Sequence, residues 1–167
     1  MKTRLLWVGL LAVFAILGVQ VASDVIEDAR WIRITDLTTL QNEEVVYSPE
    51  HEIFLVSNGD RALALSAVSP HRPDLGELVL FCPSSGMFEA AHGEKFDRFG
   101  SYYGGPAPGG LDRFAVKVEG GEVYVDLDRR MTGPGRGASE ALEAKGDFCG
   151  EKPIEKSPGF ASVPERH

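Results

Sequence analysis

The chemically informative side chains of this sequence lie between Ser69 and Phe114. His71 and His92 fall in this stretch, and imidazole is a common transition-metal ligand as well as an acid or base near neutral pH. Cys82 lies between them, and Cys149 is the only other cysteine in the chain. The stretch is a series of short motifs: Ser69-Pro70-His71, Phe81-Cys82, Met87-Phe88-Glu89-Ala90-Ala91-His92-Gly93, Gly105-Pro106-Ala107-Pro108 and Leu111-Asp112-Arg113-Phe114.

Short strands separated by turns are predicted from Trp31 to Asp128. Asn58-Gly59 and Gly120-Gly121 each predict a tight hairpin. No window in this region has a helical period, because glycine or proline interrupts every candidate. The pattern predicts an all-β antiparallel sandwich or barrel. The strand-like runs are residues 31–34, 44–47, 53–56, 62–65, 78–81, 114–119 and 122–126.

The N-terminal residues predict export from the cytoplasm. Two basic residues precede an apolar run from Leu5 to Ala22. As a helix this run would be about 27 Å long, just short of a typical hydrocarbon core. We favour a retained anchor over a cleaved signal peptide for residues 1–23, because the run is long for a signal sequence and Gln20 does not suit cleavage after Ala22. In both cases the globular part lies on the extracytoplasmic side of the membrane.

The predicted organisation has four parts. Residues 1–23 form the apolar helix, 24–30 a connector, 31–128 the β domain and 129–167 a loop-rich, irregular tail. In the tail, Ser139 to Lys145 is long enough for one or two helical turns, and the end of the tail is expected to be disordered.

The two cysteines, Cys82 and Cys149, fit an exported chain. In an oxidising compartment an even number of cysteines favours a disulfide over a metal site. A bond between them would close a loop of roughly 70 residues and stabilise the fold by about 4 kcal/mol on the chain-entropy model. The alternative is two unrelated thiols, one buried and one in a loose tail.

The charge of the chain argues against one class of partner. The formal net charge is −8. An acidic surface repels a phosphate backbone, so we expect no nucleic-acid binding. A negative face also suits a basic protein partner, although acidic charge by itself keeps a domain soluble.

The motifs between His71 and Phe114 resemble the Rieske iron–sulfur family, especially the membrane-bound subunits of bacterial quinol–cytochrome c oxidoreductases. Those proteins have a first box C-x-H, a second box C-P-C-H-G and a Gly-Pro-Ala-Pro loop soon afterwards. Here His92-Gly93, Gly105–Pro108 and Leu111–Phe114 follow in that order. The resemblance covers roughly Trp31 to Asp128. It implies a Rieske-like fold, a [2Fe–2S] cofactor, and partners among the cytochrome b and c type subunits of a membrane complex.

The resemblance places the histidines but not the cysteine ligands. His71 falls on the first-box histidine and His92 on the second-box histidine. Ser69 occupies the position of the first ligand cysteine, and Glu89 or Ala90 that of the second. The [2Fe–2S] cluster that the resemblance implies would therefore lack both of its cysteine thiolate ligands.

The two bridging cysteines of the family are also missing from their expected positions. Ala91 stands at the second-box bridging position, and no cysteine occurs near Leu75, where its partner is expected. Cys82 lies where related membrane subunits have an additional cysteine, which the resemblance pairs with one in the tail, here Cys149. An alternative alignment takes Cys82–Gly86 as the second box, but it loses the histidine and leaves the proline loop too far downstream.

The ligand chemistry argues against the family cofactor. A Rieske cluster binds one iron through two histidines and the other through two cysteine thiolates. A serine hydroxyl is far less acidic than a thiol, and a carboxylate oxygen is poorly matched to a sulfide-bridged iron. We therefore expect no stable cluster. If His71 and His92 lie side by side, they and Glu89 form a set suited to a single Zn²⁺ or Fe²⁺. The interpretation we favour is that hydrogen bonds satisfy both histidines.

Three functional hypotheses follow. The leading one is a membrane-anchored Rieske-like subunit of a respiratory complex of the quinol–cytochrome c reductase type, structural or accessory because it lacks the cluster. The first alternative is a working Rieske electron carrier with unusual ligation. The second alternative is a mononuclear metal-binding protein that uses the two histidines. Taken together, the sequence favours a non-catalytic or electron-transfer subunit over an enzyme on its own.

Overall fold

We describe a computed structural model of the chain over residues 30–59, 61–138 and 140–150. Nearly all of these residues belong to one compact unit that begins at Arg33. The predicted apolar helix, most of the connector and the end of the tail lie outside the described residues. Within the described ranges, no helix is long and apolar enough to cross a membrane.

The described residues contain ten strands in two sheets, so the all-β prediction is confirmed. The larger sheet has the order β1-β10-β9-β4-β3-β2, and the smaller one β5-β6-β7-β8. The strands of the larger sheet are β1 (Trp31–Asp36), β2 (Val45–Ser48), β3 (Ile53–Asn58), β4 (Arg61–Ser66), β9 (Arg113–Glu119) and β10 (Glu122–Met131). Those of the smaller sheet are β5 (Leu80–Cys82), β6 (Met87–Glu89), β7 (Lys95–Phe96) and β8 (Tyr102–Gly104).

Strand β3 is the centre of the hydrophobic core, because both of its faces are covered. Side chains alternate across a strand. Accordingly, Phe54 packs in a cluster with Phe88 and Phe96 of the smaller sheet. Ile53 points to the other face and packs in a second cluster with Leu40. A strand covered on both faces needs a continuous apolar run, and residues 53–56 supply one.

One short helix contradicts the prediction that the β domain has none. Helix α1 (Leu37–Glu43) begins after Asp36, whose carboxylate accepts a 2.8 Å hydrogen bond from the backbone N–H of Thr39. Within the helix only Leu40 is buried. A seven-residue helix with one buried side chain has no measurable period, so the periodicity analysis missed it.

The predicted helical turns near Ser139–Lys145 do not form in the described residues 140–145. The backbone N–H of Leu142 donates to the carboxylate of Asp97, and that of Lys145 donates to the carbonyl of Ser85. These N–H groups bond to the β domain, so they are not available for a helix. The prediction of an irregular tail is confirmed for the described part after Met131.

Candidate functional site

The two predicted histidines lie on two loops that leave the smaller sheet at the same end. The first loop connects β4 to β5, and the second connects β6 to β7. Leu80 at the start of β5 pairs with Glu89 at the end of β6. This antiparallel register brings the first loop beside the second and so positions both histidines.

The first loop is closed at its base by contacts between its two ends. Val68 forms an isolated bridge with Leu78, and the N–H of Ser69 donates to the carbonyl of Glu77 at 2.7 Å. The N–H of His71 donates to the hydroxyl oxygen of Ser69 at 3.2 Å. The loop therefore brings Ser69 and Glu77 together at its base.

The second loop is a tight turn that carries Glu94 into the interior. The N–H of Ala90 donates to the carbonyl of Glu94, and the N–H of Gly93 donates to that of Ala90, both at 3.0 Å. Glu94 is fully buried. Its Oε1 accepts a 3.2 Å hydrogen bond from the hydroxyl of Ser69, so the two loops are joined by a buried polar contact.

The proline loop packs directly on the second loop. Gly105 has a φ of +92°, and a Cβ at this position would lie 2.5 Å from the carbonyl oxygen of Gly93. Arg136 holds the other side of the loop by donating to the carbonyls of Ala107 at 2.7 Å and Gly105 at 3.1 Å. Its guanidinium also lies 4.6 Å from the ring centroid of Tyr102. The Gly-Pro-Ala-Pro motif is thus a wall of the site.

The structure brings His71 and His92 together. Their ring centroids are 5.8 Å apart in an edge-to-face arrangement. Nδ1 of His92 lies 2.8 Å from Oε2 of Glu77, whose side chain is 12% exposed. His92 itself is half-exposed, with 53% of its side chain accessible. A solvent-derived ion can therefore reach His92 while its acidic neighbour is largely buried.

The carboxylate predicted to complete the set contacts a different part of the molecule. Glu89 accepts 3.1 Å hydrogen bonds from the backbone N–H groups of Cys149 and Gly150. It also accepts a weak 3.4 Å bond from the hydroxyl of Ser85. Glu89 therefore fastens the tail, and the ligand set of His71, His92 and Glu89 stays a prediction.

Two carboxylates that the sequence analysis did not single out lie beside His92. One ligand atom from each of Glu77, His92 and Glu94 lies within 4.8 Å of the others. Glu94 follows His92 closely in sequence, but the turn between them has no periodicity that would predict their proximity. Glu77 has no local signal either, because it approaches His92 only through the pairing of the two loops.

The predicted disulfide between Cys82 and Cys149 is confirmed. The sequence has no other cysteine, so the chain has no free thiol to bind iron. At the first-box position, the hydroxyl of Ser69 is engaged with Glu94. The donors around His71 and His92 are nitrogen and carboxylate oxygen, which do not fit the [2Fe–2S] cluster that the resemblance implies.

Known proteins were compared with the chain at the level of families, sequences and folds. No family model matches it. The cytochrome b6-f complex iron-sulfur subunit of Chlorobaculum tepidum is 30% identical over 79 residues, which are 47% of this chain and 42% of that protein. The chain thus matches less than half of that relative's length.

Two solved structures are similar at lower identity. The cyanobacterial plasma membrane Rieske protein PetC3 from Synechocystis PCC 6803 has 23% identity and a TM-score of 0.47, covering 56% of this chain and 97% of that one. A chain from the complex of reduced oxygenase and oxidized ferredoxin in carbazole 1,9a-dioxygenase has 20% identity and a TM-score of 0.45, covering 62% and 98%.

The curated relative is an iron–sulfur subunit, as the order of motifs between His71 and Phe114 predicts. The resemblance to Rieske iron–sulfur proteins predicted from the sequence is therefore confirmed.

Proposed function

We propose that this chain is a membrane-anchored, Rieske-like subunit of a respiratory complex of the cytochrome b6-f or quinol–cytochrome c reductase type. In this proposal it has no [2Fe–2S] cluster and serves a structural or accessory role. The predicted anchor in residues 1–23 holds the β domain at the extracytoplasmic face of the membrane. Cytochrome b and c type subunits are its expected partners.

The observation that carries the proposal is the chemistry of the donors at the former cluster position. A Rieske cluster needs two thiolates. Both cysteines of this chain are joined in a disulfide, and the serine at the first-box position donates to a buried carboxylate. An electron-carrying role would need ligands that these residues do not supply.

Two further observations support a role in a complex. The curated relative is named as a subunit of the cytochrome b6-f complex. The proline loop, which Arg136 fastens through two carbonyls, is a rigid surface with Pro106 and Pro108 exposed. A rigid surface loses little conformational entropy when it docks, so this loop suits a contact with a partner.

The test is to purify the chain from its own membranes through a C-terminal affinity tag, in mild detergent. We expect haem-containing subunits to be recovered with it. Iron and acid-labile sulfide should both be well below one per chain, and the reduced sample should lack the electron paramagnetic resonance signal of a histidine-ligated cluster. A bona fide cluster-bearing Rieske subunit, purified in the same way, is the positive control.

Two results would contradict the proposal in different ways. Two irons and two sulfides per chain would make it an electron carrier with unusual ligation. Its absence from every quinol- or cytochrome-oxidising assembly would remove the role as a subunit.

A separate measurement tests whether residues 1–23 are retained as a membrane anchor. The intact mass of the mature chain should include residues 1–23, and the protein should remain in the membrane pellet after alkaline carbonate washing. A mass that begins near Asp24, together with release into the wash, would indicate a cleaved signal peptide instead.

A further inference from the structure

We propose that Glu77, His92 and Glu94 form a binding site for one divalent transition-metal ion. The site uses an imidazole nitrogen and two carboxylate oxygens at the place where related proteins bind their cluster. It differs from the family site in metal number, in ligand type and in two of the ligand positions. It also differs from the set of His71, His92 and Glu89 that the sequence suggests.

The geometry of the three side chains suits a single ion. Their ligand atoms all lie within 4.8 Å of one another. In a tetrahedral Zn²⁺ site with bonds of about 2.1 Å, neighbouring ligand atoms lie about 3.4 Å apart. A contraction of up to about 1.4 Å, within the reach of side-chain torsions, therefore completes the set.

Buried carboxylate oxygens without partners are the independent observation that points to a cation. Glu94 is 0% exposed, and its Oε2 has no hydrogen-bond donor among the described residues. Oε1 of Glu77 is likewise buried without a partner. Leaving one such oxygen unsatisfied is costly, and two neighbouring carboxylates also repel each other. A cation between them offsets both costs.

The hydrogen bonds already present do not remove this need. His92 lies 2.8 Å from Oε2 of Glu77, and Ser69 donates to Oε1 of Glu94. Each contact satisfies one oxygen of its carboxylate and leaves the other without a donor. The contact from Ser69 also orients the carboxylate of Glu94, as an outer-shell hydrogen bond does for a metal ligand.

The donor types indicate which cations fit. One imidazole and two carboxylates suit Zn²⁺, Mn²⁺ or Fe²⁺, whereas Ca²⁺ and Mg²⁺ prefer sets made of oxygen alone. The half-exposed ring of His92 leaves a route from solvent, so an ion can enter without unfolding the loops. We take Zn²⁺ as the probe because it has no redox chemistry to complicate binding.

The experiment uses the full chain in detergent, stripped with a chelator and titrated with Zn²⁺ by calorimetry at neutral pH. We expect one Zn²⁺ per chain for the wild type. Glu77→Gln, Glu94→Gln and His92→Ala should each weaken binding by more than about 100-fold, because removing even an outer-shell partner costs about 10- to 100-fold. Ca²⁺ at the same concentrations should not compete.

Matched controls use the residues of the rival ligand set. Glu89→Gln makes the same chemical change at a carboxylate that contacts the tail, and His71→Ala removes the neighbouring ring. Both should bind Zn²⁺ within a few-fold of the wild type. Near-ultraviolet circular dichroism and an intact disulfide mass establish that each variant is folded.

A second measurement keeps the inference testable if a variant is only partly folded. Zn²⁺ should raise the unfolding temperature of the wild type and of Glu89→Gln, but not that of Glu94→Gln, since a ligand stabilises only a state that binds it. Without metal, Glu94→Gln should unfold no earlier than the wild type, because it removes the repulsion between two neighbouring carboxylates.

The outcomes separate this inference from the proposed function. No Zn²⁺ binding by the wild type would overturn the site. Binding that survives Glu77→Gln and Glu94→Gln but is lost in His71→Ala or Glu89→Gln would overturn the ligand assignment. The iron and sulfide assay decides the proposed function, and calorimetry on the stripped chain decides the metal site.

Discussion

The hydroxyl of Ser69 donates a 3.2 Å hydrogen bond to Oε1 of Glu94, and both residues are fully buried. Ser69 is predicted to occupy the position of the first ligand cysteine of the Rieske family, and Glu94 lies two residues after the predicted second-box histidine. The contact therefore joins the two loops that carry the predicted ligand positions. A neutral donor meets a carboxylate here, which leaves the remaining oxygen of Glu94 available to a cation.

Replacing Ser69 with alanine should destabilise the fold. The change leaves Oε1 of Glu94 without its donor and the N–H of His71 without its acceptor. An unsatisfied buried oxygen such as that of Glu94 costs about 1–3 kcal/mol. Urea unfolding monitored by tryptophan fluorescence measures the loss. The matched control is Ser84→Ala, which removes an exposed hydroxyl bonded to the carbonyl of Asp147 and should cost less. Equal losses in the free energy of unfolding would mean that the buried contact between the loops contributes no more than an exposed hydrogen bond.

The disulfide should contribute strongly to stability. Cys82 and Cys149 are separated by 67 positions. Closing a loop of this length stabilises by about 4 kcal/mol on the chain-entropy model. Chemical denaturation with and without a strong reductant measures the difference. The double variant Cys82→Ser/Cys149→Ser is the control and should be insensitive to reductant. Amide exchange at Lys145, whose N–H donates to Ser85, should accelerate on reduction. Unchanged stability and exchange would show that the tail is held by other contacts alone.

Gly105 should tolerate no side chain. In Gly105→Ala the new Cβ would meet the carbonyl of Gly93 at 2.5 Å, in addition to the strain of a positive φ. Gly120→Ala is the control, because it also has a positive φ but has nothing within 4 Å. The control should cost about 1–2 kcal/mol from backbone strain alone. Gly105→Ala should cost clearly more in urea unfolding and should also speed amide exchange in residues 105–108. Similar costs would mean that the proline loop can move off the second loop.

Helix α1 should lose its cap in acid. The pKa of Asp36 is lowered, first by the hydrogen bond from the backbone N–H of Thr39 and then by that from the Thr39 hydroxyl. A carboxyl whose pKa is lower in the folded state stabilises the fold above its unfolded pKa, and this contribution is lost as the pH falls through the folded pKa. The Thr39 amide resonance should therefore titrate below the ordinary range of an aspartate. In Asp36→Asn this titration should vanish, and a midpoint at the ordinary value would contradict the cap.

Patterns of neighbouring residues determined most of the fold. The hairpins at Asn58-Gly59 and Gly120-Gly121 form because their glycines adopt positive φ between paired antiparallel strands. The continuous apolar run of β3 indicated a buried strand, and the structure covers it on both faces. Strands β6, β7 and β8 are two or three residues long, too short for a pattern, and the pairing between them decides where they lie.

The sequence by itself determined the resemblance to Rieske proteins, the positions of the two histidines and the presence of only one pair of cysteines. Their identities and order along the chain are sufficient for this. Only the tertiary structure decided which carboxylates lie beside His92. Glu89 belongs to the same motif as His92, yet its oxygens accept from the backbone N–H groups of the tail. Glu77 is distant in sequence and becomes a neighbour of His92 because the sheet register brings the two loops together. A sequence gives the type and order of its residues. Contacts between distant residues depend on how the segments pack, which local patterns do not encode.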